Sequence, residues 1–174
     1  MDKLKLETFW GRHSWIGFLV AVLALAADRA HKAWMLDVYD IAARGRVEIT
    51  PFFDLVMAWN KGVSYGLFQA ESGLGRVMLI GFALAITLGL GLWLARITHP
   101  LIAVAIGLVI GGALGNVYDR FVHGAVADFF SFHAFGFYWY IFNVADIWIV
   151  TGVGLIVLES FFPAFFGQKT ATKN

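Results

Sequence analysis

Residues 101–128, LIAVAIGLVIGGALGNVYDRFVHGAVAD, begin as sequence suited to hydrocarbon and end in charge. From Leu101 to about Tyr118 the run is apolar apart from Asn116. A helix crossing a bilayer core needs about 20 such residues, so this stretch reads as a membrane span. Asn116, Asp119, Arg120 and Asp128 then crowd into its exit. Carboxylates are costly to place where a chain leaves lipid, which makes them functional candidates by default. Gly107, Gly111 and Gly115 recur every four residues on one helix face. That spacing predicts close packing against a neighbouring helix through a small-residue stripe.

Three further apolar runs flank this one, at about residues 15–35, 77–95 and 143–161. The first admits two readings. A basic start, an apolar stretch and Ala24-Leu25-Ala26 fit a cleavable leader. Alternatively the helix continues through Asp28 to about Leu36, with Asp28 and Lys32 paired at i,i+4 near the interface. The long start favours the span, with Met1 or Asp2 retained. The second run ends at a tight turn with Arg96, His99 and Pro100, and the fourth ends at Pro163. FNVAD, residues 142–146, opens the fourth and carries Asn143 and Asp146. At 1.5 Å per residue, Asp146 sits roughly 6 Å into its helix, at headgroup depth.

Residues 37–75 are the polar exception. VEITPFFDLVMAWN, residues 47–60, places β-branched and aromatic residues around Pro51 and predicts short strands. NKGVSYG, residues 60–66, is a glycine-punctuated turn. So few residues cannot build a large core of their own, so a small sheet on the membrane surface is expected, roofing what lies beneath. Residues 122–142, VHGAVADFFSFHAFGFYWYIF, read as an aromatic loop or half-helix. The expected fold class is membrane α-helical: four transmembrane helices, a small extracytoplasmic β-sheet between helices 1 and 2, and a short amphipathic, half-helical segment between helices 3 and 4. No domain boundary, long-period repeat or low-complexity tract divides residues 1–174.

Composition agrees. The chain is 60% hydrophobic and 14% charged, with mean hydropathy +0.74; a soluble domain is nearer half apolar and a quarter charged. A net charge of +1 gives no nucleic-acid signal, and the absence of cysteine excludes disulfides, a thiol nucleophile and Cys-based metal sites. Seven Trp and five Tyr fit interfacial aromatic belts. Four spans put both termini on one side. Lys3, Lys5, Arg12, Arg96, Lys169 and Lys173 share that side in short segments, which favours cytoplasmic termini. Both acidic clusters and the sheet then face outward.

Several chemistries compete. Gly62-Val63-Ser64-Tyr65-Gly66 matches a G-x-S-x-G elbow, but that motif needs a large α/β sheet, and a glycine-rich turn explains it better. Five scattered His without H-E-x-x-H give no zinc peptidase signature, and neither a metal nor a cofactor is called for. The acids remain. Asp28 has a structural alternative as a cap or as Lys32's partner, and Asp119 as Arg120's partner. Asp128 is harder to explain that way, because Val126, Ala127, Phe129 and Phe130 surround it with apolar groups. Asn143 and Asp146 share a helix face, as do Asn116 and Arg120. If Asp128 and Asp146 meet, they cannot both ionise easily; one keeps a proton while the other is a base. Such a pair can activate water for attack on a peptide carbonyl. A proton-coupled carrier built on the same acids, or a non-catalytic assembly protein built on the glycine stripe, stays open on spacing alone. A carrier, however, usually shows a midplane site and inverted repeats.

Taken together, Asp28-Arg-Ala-His-Lys32, Asn60-Lys-Gly-Val-Ser-Tyr-Gly66, the GGALGNVYDR block ending at Arg120, Gly124-Ala-Val-Ala-Asp-Phe129 and Phe142-Asn-Val-Ala-Asp146 resemble the lipoprotein signal peptidase (signal peptidase II) family. The resemblance runs from about Trp15 to Glu159. It implies a bacterial inner-membrane aspartic endopeptidase, working without a cofactor. Its substrates would be prolipoproteins carrying a diacylglyceryl-modified lipobox cysteine, cut just before that cysteine. The family's catalytic pair falls on Asp128 and Asp146. Its supporting residues fall on Asp28, Asn60, Gly112, Asn116, Arg120 and Asn143. Globomycin-type cyclic peptides would occupy the same cleft, membrane lipids would surround it, and a monomer would suffice. Arg29, Lys61, Ser64 and Tyr65 depart mildly from the family's usual residues.

Overall fold

A computed structural model describes residues 10–62 and 73–162. The Ser64 turn, the basic residues before Trp10 and the tail with Lys169 and Lys173 lie outside the described residues.

Four helices among the described residues are long and apolar enough to cross a membrane. Helix α1, Ser14–Ala33, runs unbroken past Ala24-Leu25-Ala26 and through Asp28. It continues into a π turn, Trp34–Val38, closed by the Tyr39 N–H donating to Trp34 O at 2.8 Å. The span is therefore Ser14–Val38, 25 residues. A four-residue helix, α2, Ile41–Arg44, leads into strands β1, Val47–Thr50, and β2, Phe53–Asn60. Helix α3 is Gly73–Leu94, and α4 is Pro100–Val122, with Pro100 at its start where no backbone N–H is required. Helix α4 runs a full turn beyond the Tyr118 expected from sequence. Asp119 and Arg120 stay helical because each has partners across the bundle.

The segment after α4 departs from expectation. It is no half-helix. Residues Val126–Ala134 form strand β3, and Phe137–Tyr138 form β4. The sheet thus has four antiparallel strands in the order β1-β2-β3-β4, and only two of them come from between α1 and α3. The physical reason lies in β2, which already pairs with β1 on one side and needs a partner for the backbone groups of its other side. Gly124, at φ +79°, turns the chain off α4 so that it can supply one. Phe135 and Gly136, at φ +51° and +80°, form the two-residue turn between β3 and β4. Helix α5, Val144–Phe161, closes the fold.

Helix α4 is the axis of the bundle and packs against α1, α3 and α5. Ala103, Ala105 and Ile106 on it are fully buried. The glycine stripe faces α1 as its spacing predicted. A Cβ at Gly107 would lie 2.4 Å from Gly17 O, and one at Gly111 would lie 2.6 Å from Ala21 O. Helix α3 is the opposite case, with Leu94 its one buried residue. Its Val77, Phe82, Leu88 and Leu92 are exposed, as are Phe18 and Leu23 of α1 and Val150 and Val157 of α5. Apolar surface on this scale is uncovered in water and suits lipid. A second core, of Met35, Ile41, Ala127 and Phe129, joins the π turn and α2 to the sheet. It fixes the sheet over the end of the bundle where α1 and α4 finish and α3 and α5 begin.

Candidate active site

Strand pairing places Asp128 opposite Ala58 and Val126 opposite Asn60. Asn60 and Asp128 are thus diagonal neighbours, a separation that side chains of this length span. Asn60 Nδ2 donates to Asp128 Oδ2 at 3.0 Å. Asp146 arrives from another direction, at the third position of α5. There it forms a capping box with Asn143: the Asp146 N–H donates to Asn143 Oδ1 at 3.3 Å, and the Asn143 N–H donates to Asp146 Oδ2 at 3.1 Å. Such boxes satisfy N–H groups that a helix start leaves unpaired.

The box does more than start the helix. Because Asn143 Oδ1 is committed to the backbone, its Nδ2 is directed away from it. That amine donates to Asp128 Oδ1 at 2.6 Å and to Asn116 Oδ1 at 3.3 Å. Asn116 Nδ2 in turn donates to Asp146 Oδ1 at 2.9 Å. One asparagine therefore links the two carboxylates, and a second braces the pair from α4. Burial pushes the Asp128 carboxyl up to about 7. The Asn143 hydrogen bond opposes that rise, the neighbouring Asp146 charge adds to it, and Asn60 and Lys32 oppose it again.

The other expected residues surround this centre. Asp28 Oδ1 accepts the Ala145 N–H at 3.1 Å, so it ties α1 to the first turn of α5. Its expected pairing with Lys32 is also present, at 3.2 Å. Arg120 donates to Asn116 O at 3.4 Å and to Gly62 O at 2.8 Å, which anchors the chain leaving β2 to α4. Gly112 contributes space: a Cβ there would sit 2.4 Å from Ala145 O, so its role in the described structure is to let α5 approach.

Three residues of the assembly were not singled out for the site from sequence. Asp119 forms its ion pairs with Lys32 Nζ and Arg29 Nη2, each at 2.6 Å. Arg29 also reaches Asp28 at 3.1 Å and lies over the Tyr118 ring at 4.6 Å. Lys32, fully buried, donates to Asn116 Oδ1 at 3.2 Å. A signal was available: adjacent residues on a helix do not face each other, so Asp119 and Arg120 needed separate partners.

A family model described as signal peptidase (SPase) II matches residues 20–162. The chain belongs to the signal peptidase II family. It is an aspartic endopeptidase of the bacterial inner membrane. Among curated relatives, the lipoprotein signal peptidase of Methylocella silvestris is 51% identical over 149 residues, covering 86% of this chain and 87% of that protein. That of Beijerinckia indica is 49% identical over 146 residues, covering 84% and 87%. Two bacterial membrane enzymes solved by the in meso method share the architecture. One aligns with TM-score 0.75 and 25% identity over 91% of this chain and 95% of its own. The other aligns with TM-score 0.71 and 28% identity over 84% and 92%.

Proposed function

We propose that this peptidase, as one unit spanning residues 1–174, removes signal peptides from diacylglyceryl-modified prolipoproteins by cutting before the lipidated lipobox cysteine. Asp128 and Asp146 form the catalytic pair. The observation that carries this reading is Asn143, whose side-chain amide donates to the Asp128 carboxylate on a strand and whose backbone N–H donates to the Asp146 carboxylate on a helix. Asp146 carries the charge, because it sits in the first turn of α5, where the helix dipole favours an anion. It takes a proton from water, and the water oxygen attacks the scissile carbonyl. Asp128 holds the pair's proton, which its burial supports. It donates a hydrogen bond to the developing oxyanion and then passes the proton to the departing amine. No covalent intermediate is needed.

The lipid-facing sides of the helices support the substrate's acyl chains. The sheet, with the chain leaving β2 at Gly62, lies over the scissile bond. Asp28, Asn60, Asn116, Arg120 and Asn143 hold the pair and its surroundings. Globomycin-type cyclic peptides occupy this cleft. The termini are cytoplasmic and the site faces outward. A monomer suffices, since one chain supplies both acids. Asp128→Asn and Asp146→Asn are each expected to lower cleavage of a diacylglyceryl-modified lipobox peptide by at least 1000-fold (about 4 kcal/mol of transition-state stabilisation) while the purified proteins stay folded. Near-normal turnover by either variant removes the pair.

A further inference from the structure

We propose that Lys32 is a positioning residue for this cleavage, acting on Asp146 through the side-chain amide of Asn116. The inference rests on the catalytic pair proposed above. An asparagine amide has an accepting end and a donating end, and a flip exchanges them. Lys32 Nζ lies 3.2 Å from Asn116 Oδ1. An ammonium group offers donors only, so a flipped Asn116 would set N–H against N–H. Lys32 therefore holds the amide oxygen on its own side and leaves Nδ2 to face Asp146 at 2.9 Å. Asn143 Nδ2, 3.3 Å from the same oxygen, supports this orientation, but a neutral donor is the weaker constraint.

Lys32 is itself held firmly. It is fully buried, and a buried ammonium persists only when paired. Asp28 Oδ1 at 3.2 Å and Asp119 Oδ2 at 2.6 Å pair it. Arg29 from the same helix binds those two acids from the other side, at 3.1 and 2.6 Å. Two cations and two acids form one network; Asp28 and Asp119 also accept the Ala145 and Ala127 backbone N–H groups, and Lys32 donates toward the side chain of Asn116. The charged groups acting on Asp146 are Lys32 and Asp28 from α1, Arg120 from α4 and Asp128 from β3. Among the described contacts, Lys32 is the cation that reaches Asp146 through a single intervening side chain.

The test compares purified variants on a diacylglyceryl-modified lipobox peptide, with kcat and KM measured from pH 5 to 9 and Tm recorded for each. Asp119→Asn, which keeps Lys32, sets the reference. Lys32→Met combined with Asp119→Asn removes the ammonium together with one of its acids, so that fewer unpaired buried charges remain. The double variant is expected to lose at least tenfold in kcat relative to Asp119→Asn, with KM within twofold. The acidic limb of its kcat profile is expected to move to higher pH, because the pair has lost a nearby cation. Lys32→Gln with Asp119→Asn keeps an N–H donor toward Asn116 and is expected to recover at least threefold of the lost kcat. A Lys32→Met double variant with the reference's kcat and pH profile overturns the proposal. So does failure of both double variants to fold, which assigns Lys32 to stability alone. If Asp128→Asn and Asp146→Asn are inactive in the same assay, either result removes the Lys32 role and leaves the catalytic pair standing.

Discussion

Asp128 is where burial and chemistry conflict most openly. Its carboxyl is nearly inaccessible, yet two amide N–H donors address it as they would an anion. Burial prevails and raises it from 3.8 to about 7. Over that window the folded protein binds a proton that the unfolded chain has released. Its contribution to stability is therefore full below about pH 3.8, falls as pH rises, and levels off above about 7. Asp128→Asn removes this dependence while keeping shape. The Tm of the variant minus that of wild type is expected to be larger at pH 8 than at pH 5 by several degrees, because each tenfold difference in proton affinity between folded and unfolded chain corresponds to about 1.4 kcal/mol. A difference that does not change with pH in detergent-solubilised protein contradicts the raised value. At this scale much of the site was legible. Asn60, Asn116, Asn143 and both acids stand in compact motifs, and the structure brings them into one hydrogen-bonded group. Lys32 and Asp119 were missed because their partnership crosses 87 positions of sequence and has no local pattern, while Arg120, adjacent to Asp119, offered a plausible false partner.

Among the elements, the helices were readable and the third strand was not. Hydrophobic runs report membrane spans directly, since lipid leaves a spanning chain little alternative to helix. Residues 126–134 carry Val, Phe and His in an order that fits a strand or a buried helical turn equally well. What decided between them was the unpaired side of β2, a fact about another part of the chain. Helix α4 shows how much one element can determine. Its glycines at 107, 111 and 115 meet α1, and Gly112 meets α5. Gly115 lies directly against Asp28 Oδ2, where a Cβ would come within 2.5 Å. By contrast, Gly89 and Gly91 of α3 have open space around them. Gly111→Ala is accordingly expected to cost about 1–3 kcal/mol, the usual result of overpacking, and to lower Tm by several degrees. Gly91→Ala is expected to leave Tm unchanged or raise it slightly, because alanine is the better helix former. Equal Tm for the two variants in one detergent would mean that the stripe does not set the α1–α4 distance.

At the scale of the whole molecule, the fold constrains orientation in the bilayer. Four spans return the chain to its starting side, so the α3–α4 turn with Arg96 lies opposite the sheet and the proposed catalytic pair. Basic residues in short segments collect on the Arg96 side, which favours retaining that side in the cytoplasm. The lipidated cysteine of a prolipoprotein would then meet Asp128 and Asp146 at the outer surface, with its acyl chains in the leaflet beside α1, α4 and α5. The chain offers a direct test, since it contains no cysteine. Single substitutions Glu48→Cys on β1, Phe135→Cys at the β3–β4 turn and Arg96→Cys at the opposite turn all fall at exposed positions. In spheroplasts treated with a membrane-impermeant maleimide, Glu48→Cys and Phe135→Cys are expected to be labelled at once. Arg96→Cys is expected to react only after the membrane is opened. The reverse pattern would place the acids on the cytoplasmic side, where they would face the basic ends of unprocessed signal peptides instead of the lipidated cysteine. Labelling of all three in sealed spheroplasts would mean that the helices do not hold the single orientation their charge asymmetry implies.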